Sequence, residues 1–180
     1  MAITLDPYYA DAYYCRGNVF LNRGDYTQAI ADFTKAIELK PDYADAYYKR
    51  GSIFLSNKEF KEAVTDFNNA INLNPEMAVA YNDRGLAWLF EYKENDKAIN
   101  DFTKAIELKP EYANAYNNRG NVWSARGEKD KALADYTKAI EFTPDFADAY
   151  KNRGILYVKL NNRKFAAEDF NNYLRITGGN

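Results

Sequence analysis

The stretch DFTKAIELKP occupies residues 32–41 and returns, letter for letter, at 101–110. Looser copies stand at 66–75, DFNNAINLNP, and at 135–144, DYTKAIEFTP. Self-similarity at a fixed period marks a repeat array, in which each unit is a supersecondary element that stacks on the next. The Arg-Gly pairs measure the period. They fall at 16–17, 50–51, 84–85, 119–120 and 153–154, spaced by 34, 34, 35 and 34 residues. Counted from Ala10, the array divides into units 10–43, 44–77, 78–112, 113–146 and 147–180. The longer unit carries its extra residue in FEYKEND, 90–96. Upstream, Ala2, Ile3, Leu5 and Pro7 align with Ala36, Ile37, Leu39 and Pro41. Residues 1–9 therefore read as the remnant of a preceding second helix, and the ragged start reads as a piece cut from a longer protein.

Within a unit the pattern is two helices. The first is expected from about Ala10 to Arg23, with Asp42 or Asp45 capping its second copy, because a short acidic side chain accepts from free backbone N–H groups. A break follows at Asn22–Gly24. The second helix runs from about Tyr26 to Lys40, where Ala29, Phe33, Ala36, Ile37 and Lys40 keep helical spacing. Pro41, Pro75, Pro110 and Pro144 stop this helix and its copies. The column Gly17, Gly51, Gly85, Gly120, Gly154 stands inside the first helix, where glycine costs about 1 kcal/mol relative to alanine. The loss makes sense if paired helices approach closely there, with Ala29, Ala63, Ala98, Ala132 and Ala166 opposite. Gly85→Leu is then expected to overpack the contact at a cost of about 1–3 kcal/mol or more. Arg16, Arg50, Arg84, Arg119 and Arg153 recur, as do Asp32, Asp66, Asp101, Asp135 and Asp169. A charge copied into every unit reads as a structural ion pair, since a ligand contact would be used once.

Composition narrows the function. The formal net charge of −2 and the lack of a basic stripe argue against nucleic acid as partner. No apolar run approaches the roughly 20 residues of a membrane span. There is no histidine, so Ser–His and Cys–His pairs are excluded, and Cys15 alone makes neither a disulfide nor an all-cysteine metal site. No cofactor is implied. Carboxylates such as Asp11 and Asp45 lie a repeat apart, and no glycine-rich phosphate loop accompanies them, so the chain does not read as an enzyme. The start of the chain carries no targeting segment, and the lone thiol suits a reducing compartment, so a cytoplasmic setting is expected.

The columns Tyr13, Gly17, Phe20, Ala29, Phe33, Ala36 and Pro41, at a 34-residue period, resemble the tetratricopeptide repeat. The first four units keep every column. The fifth keeps Tyr150, Gly154, Tyr157, Ala166 and Phe170 but departs at Tyr173 and Gly178. The resemblance implies an all-α fold, a right-handed superhelical α-solenoid of antiparallel helix pairs. It also implies that the first helices line a concave groove for a peptide or a partner helix. On that mapping the groove residues are Asp11, Tyr14 and Asn18, then Asp45, Tyr48, Lys49 and Ser52, then Val79, Asn82, Leu86 and Leu89. The remainder are Asn114, Asn117, Asn118 and Asn121, followed by Lys151 and Asn152. Their chemistry changes from acidic and aromatic, through apolar with Phe90, to four asparagines. An asparagine amide both donates and accepts, which matches extended peptide backbone, and some family members hold peptide backbone this way.

Chaperone-binding members of the family grip a C-terminal carboxylate with Lys, Arg and Asn side chains from three successive units. The matching columns here hold Tyr14 with Asn18, Lys49, and Val79 with Asp83, so chaperone tails are not expected partners. The expected function is a non-catalytic scaffold that binds a protein or peptide. The alternative is self-association into homo-oligomers by stacking or exchange of terminal helices, the MAITLDP fragment at one end and the helix carrying Leu174 and Ile176 at the other.

Overall fold

The computed structural model describes residues 8–178, so the expectation for Ala2, Ile3, Leu5 and Pro7 lies outside the described residues. Among these there are ten α-helices and no strand. Two compact units divide the chain between Lys93 and Glu94. The first holds α1 (Ala10–Asn22), α2 (Tyr26–Leu39), α3 (Ala44–Ser56), α4 (Phe60–Leu73), α5 (Ala78–Ala87) and a π-helical turn, Trp88–Tyr92. The second holds α6 (Asn95–Leu108), α7 (Ala113–Ala125), α8 (Lys129–Phe142), α9 (Ala147–Lys159) and α10 (Arg163–Thr177). Tight antiparallel hairpins α1/α2, α3/α4, α7/α8 and α9/α10 are the building blocks, and within a unit each hairpin packs on its neighbour.

The quoted decapeptide shows how sequence makes the second helix. In α2 the buried side chains are Ala29, Asp32, Phe33, Ala36 and Ile37, one face at i, i+3, i+4, i+7, i+8. The helix stops because the residue before proline is driven out of the helical region by the pyrrolidine ring. Lys40, Asn74, Lys109 and Thr143 all sit near φ −136° and ψ 88°. Each still donates its N–H to the carbonyl four residues back. At the hairpin turns the chain enters the left-handed region at Gly24, Lys58, Lys93, Gly127 and Asn161, so only two of five turns use glycine for it.

The expected caps are corrected by the structure. Tyr43, not an aspartate, is the N-cap of α3, and no side chain caps that helix. The Tyr43 ring is needed where it stands, packed on Ala36, Ile37 and Ala46. Asp45 is left in the first turn, where its charge complements the helix dipole. True side-chain caps occur at Asp25, which accepts from Gln28 N–H at 3.2 Å, and at Asn162, which accepts from Phe165 N–H.

The paired helices do approach closely at the glycine column, but the nearest groups opposite are the aromatic rings rather than the alanines. A methyl group at Gly17 would lie 2.8 Å from a ring carbon of Phe33, and at Gly120 2.8 Å from Tyr136. At Gly51 and Gly154 the distances to Phe67 and Phe170 are 3.0 Å. The missing side chain makes room for the partner helix's aromatic ring, and Phe33 and Phe67 are completely buried there. The extra residue of the 35-residue unit is absorbed by the π-helical turn Trp88–Tyr92, closed by Lys93 at φ 51°. That turn leaves Phe90 64% exposed, with its ring stacked on Phe60 at 5.8 Å.

Candidate functional site

The recurring charges are structural. Arg16, Arg50, Arg119 and Arg153 each grip their aspartate with two parallel bonds of 2.7–2.9 Å, to Asp32, Asp66, Asp135 and Asp169. Three of these arginines use the remaining nitrogen to hold the preceding hairpin: Arg50 donates to Thr34, Arg119 to Thr103 and Arg153 to Thr137, at 2.9–3.0 Å. Arg84 does the same to Asn68 at 2.7 Å. Each bidentate fork therefore stitches a hairpin internally, and those of Arg50, Arg119 and Arg153 also tie it to the one before, which leaves these charges for the fold rather than for a ligand.

The residues expected in the groove come from α1, α3, α5 and, for Leu89, the π-helical turn in the first unit, and from α7 and α9 in the second. In the first unit Tyr14 and Tyr48 are half-buried, their rings 5.7 and 6.0 Å from Phe33 and Phe67, so they floor this face more than they project from it. Asn18 and Ser52 donate to backbone carbonyls of their own helices, Tyr14 O at 3.0 Å and Tyr48 O at 2.9 Å. Asp45 is exposed, Asp11 half-buried, and the Lys49 ammonium lies 5.9 Å over the Tyr48 ring. Asn82 is buried at 4% exposure; Val79, Leu86 and Leu89 are half-buried.

The second unit splits the four asparagines. Asn114 and Asn121 are exposed, Asn118 is half-buried, and Asn117 is buried, accepting from Asn152 at 3.0 Å. Lys151 pairs with Asp148 of its own helix at 3.2 Å. Between α7 and α9 lies a cleft of about 220 Å³, lined by Asn121, Ser124, Tyr136, Asn152, Ile155 and Lys159 among others. Tyr136 reaches it from below by donating to Asn121 Oδ1 at 2.9 Å. Burial pushes the Tyr136 hydroxyl up to about 12, against the opposing pull of the Ser124 hydroxyl, so it is a neutral donor at ordinary pH.

One residue of the Lys49 column, Asp83, does not stand among the expected groove residues. Asp83 accepts from Tyr48 Oη at 3.0 Å and from Asn82 Nδ2 at 2.9 Å. Burial raises its pKa above the usual carboxylate range, while these two donors pull it down. The only hint in the sequence was a carboxylate standing one repeat after Lys49. A group whose folded pKa is raised binds its proton more tightly folded than unfolded. Its contribution to stability is therefore full below the unfolded value and lost as pH rises through the folded value. Tyr48→Phe removes a donor that favours the anion, so the Asp83 carboxyl resonance is expected to titrate at higher pH in the variant. The variant is also expected to gain more stability than the parent between pH 7 and pH 4. Carbon-detected NMR titration and melts at the two pH values check both.

Among the described residues no three carboxylates or thiols converge as a metal site, and no helix is long and apolar enough to cross a membrane.

Sequence profiles described as TPR repeat match residues 17–58, 88–125 and 120–161. Two further profiles described as tetratricopeptide repeat match 44–77 and 1–31. A search of curated proteins finds no significant match. Among solved structures, MamA is similar at 28% identity and a TM-score of 0.78, over 98% of this chain and 93% of that one. YrrB, a TPR protein with an unusual peptide-binding site, is similar at 27% identity and a TM-score of 0.76, over 97% of this chain and 90% of that one. The fold of pilF of Pseudomonas aeruginosa is also similar, at 24% identity and a TM-score of 0.83 over 95% of this chain and 76% of that one. With profiles matching across most of its length, and a structure in which four hairpins each set a glycine under the partner helix's aromatic ring, this chain belongs to the tetratricopeptide repeat family.

Proposed function

We propose that this protein is a non-catalytic interaction scaffold that binds an extended peptide, or a helix of another protein, against the first-helix faces of its units, α1, α3 and α5 in the first and α7 and α9 in the second. One observation carries the reading. Side chains that stack hairpins are copied from repeat to repeat and buried, while those on these faces stay at least partly exposed in most cases and are not held constant along the array, changing from Asp11 and Asp45 to Val79 and Asn114 in one column and from Tyr14 and Tyr48 to Asn117 and Lys151 in the next. Copies maintain the array, and differences choose a ligand. The peptide-binding site named for YrrB, at 27% identity, supports the same class of partner. Asp45 favours a basic residue in the ligand, Leu86 and Leu89 an apolar one, and Asn114 and Asn121 the backbone. Peptides selected from a displayed random library against the full chain test this. Asn114→Ala, Asn121→Ala and Leu89→Ala are each expected to weaken binding about tenfold, near 1.4 kcal/mol. Affinities unchanged by all three would sink the reading.

A second reading, self-association, has its own observation. Ile37 and Ile71 are 9% and 7% exposed beneath the next hairpin, but their counterpart Leu174 on α10 is 41% exposed. A second copy packing there would cover it. Light scattering over a concentration series is the measurement, and a monomer at every concentration ends the idea.

A further inference from the structure

We propose that Tyr136 is a positioning residue for ligand recognition: its hydroxyl holds the Asn121 carboxamide so that the amide N–H groups face the cleft between α7 and α9, where they donate to a carbonyl oxygen of the bound peptide's backbone. This rests on the peptide-binding reading above.

The column Phe33, Phe67, Phe102, Tyr136, Phe170 carries a hydroxyl at one position only. Tyr136 is 2% exposed, and a phenol that deep must find a partner. It finds Asn121 Oδ1, on the facing helix and on the outside of the hairpin. The direction of that bond matters, because a phenol can donate or accept and a carboxamide can turn over. With Tyr136 Oη 2.9 Å from Asn121 Oδ1, the proton between them is the phenol's, because a carboxamide oxygen can only accept. The amide oxygen is then occupied and the two N–H donors point the other way. Asn121 is exposed and its nitrogen makes no other hydrogen bond among the described residues.

Its own column provides the contrast. Asn18 donates its amide to Tyr14 O at 3.0 Å, and Ser52 donates its hydroxyl to Tyr48 O at 2.9 Å, both in the pattern of a side chain bonded to the carbonyl one turn back. Leu86 and Ile155 have nothing to donate. At Asn121 the tyrosine takes the amide oxygen and the nitrogen makes no bond to its own helix, so both N–H groups stay unspent beside the cleft. The cleft is large enough for a stretch of chain, and Ile155, 41% exposed, offers an apolar wall beside the donors. Two N–H groups without an acceptor suit a peptide carbonyl, the acceptor every residue of an extended ligand presents.

The test is a double-mutant cycle with a peptide selected from a displayed random library against the full chain. Phe is the residue at the equivalent position of the other repeats, so Tyr136→Phe is expected to fold. It should weaken binding about three- to tenfold. Asn121→Ala should weaken it about tenfold, and the double variant should be no weaker than Asn121→Ala alone. In the unliganded Tyr136→Phe protein the Asn121 side-chain amide signals should broaden or move, a change that a purely structural role would not require. Additive effects, or a peptide affinity indifferent to Tyr136→Phe, overturn the proposal. If peptides respond to Leu89→Ala but not to Asn121→Ala, the positioning role fails while the peptide-binding reading stands. If no peptide can be selected at all, the peptide-binding reading fails and this one falls with it.

Discussion

Arg50→Ala is expected to destabilise the protein by about 3–5 kcal/mol, because it strips the counter-charge from a carboxylate that the fold has taken out of water. Asp66 is 2% exposed, and both of its oxygens are held by the Arg50 fork at 2.8 Å. The same guanidinium donates to Thr34 on the preceding hairpin, so the substitution also cuts a tie between hairpins α1/α2 and α3/α4. Two controls separate these effects. Arg16→Ala removes the same fork from Asp32, but the Arg16 side chain is 46% exposed against 18% for Arg50, so water replaces more of what is lost and the cost is smaller. Arg50→Met combined with Asp66→Leu removes the charge and its partner together and is expected to recover most of the loss. Urea melts of the four proteins check the order. A loss at Arg50 no larger than at Arg16 would show that burial of the pair is not what matters.

The second large effect is at the glycine column. Gly120→Leu is expected to cost about 3 kcal/mol or more, and Gly120→Ala about 1–3 kcal/mol. Alanine is the better helix former, so a site with free space would be stabilised by it. Here the added methyl meets Tyr136 ring carbons at 2.8 and 2.9 Å and the Asp135 Cβ at 3.3 Å, and neither can give way easily. The ring is wedged in the core and tied to Asn121, and Asp135 is locked to Arg119. Calorimetric melts of both variants check the prediction. An unchanged melting temperature for Gly120→Ala would mean that the hairpin relaxes at no cost. The Gly85→Leu expectation belongs to the same column, and Gly85 is buried like the others.

Much of this molecule is written in one dimension because its contacts are local. A hairpin is made of neighbours in sequence, so the 3.6-residue periodicity of DFTKAIEL, the proline after it and the glycine opposite its phenylalanine state the helix, its end and its packing together. The Arg–Asp pairs were legible for the same reason: they lie 16 residues apart inside one hairpin and are copied with it. Chemistry used once is less legible. The asparagines of α7 look equivalent as letters, yet Asn117 is buried against Asn152 and Asn121 is exposed and held by Tyr136, a difference set by which helix stands opposite. The capping aspartates at 42 and 45 failed because an aromatic ring, serving a core that only the stacked hairpins create, took the N-cap place.

Sequence alone thus determined the family, the helices and the residues that hold hairpins together, since each is a repeated local pattern whose meaning does not depend on distant partners. Tertiary structure alone decided which inner-face side chains are spent on their neighbours and which remain available, as with Asn18 and Asn121 in the same column. The reason is physical: a hydrogen bond is directional and short, so whether a donor is free depends on which atoms lie within about 3 Å and how they point, and residue spacing alone does not state that.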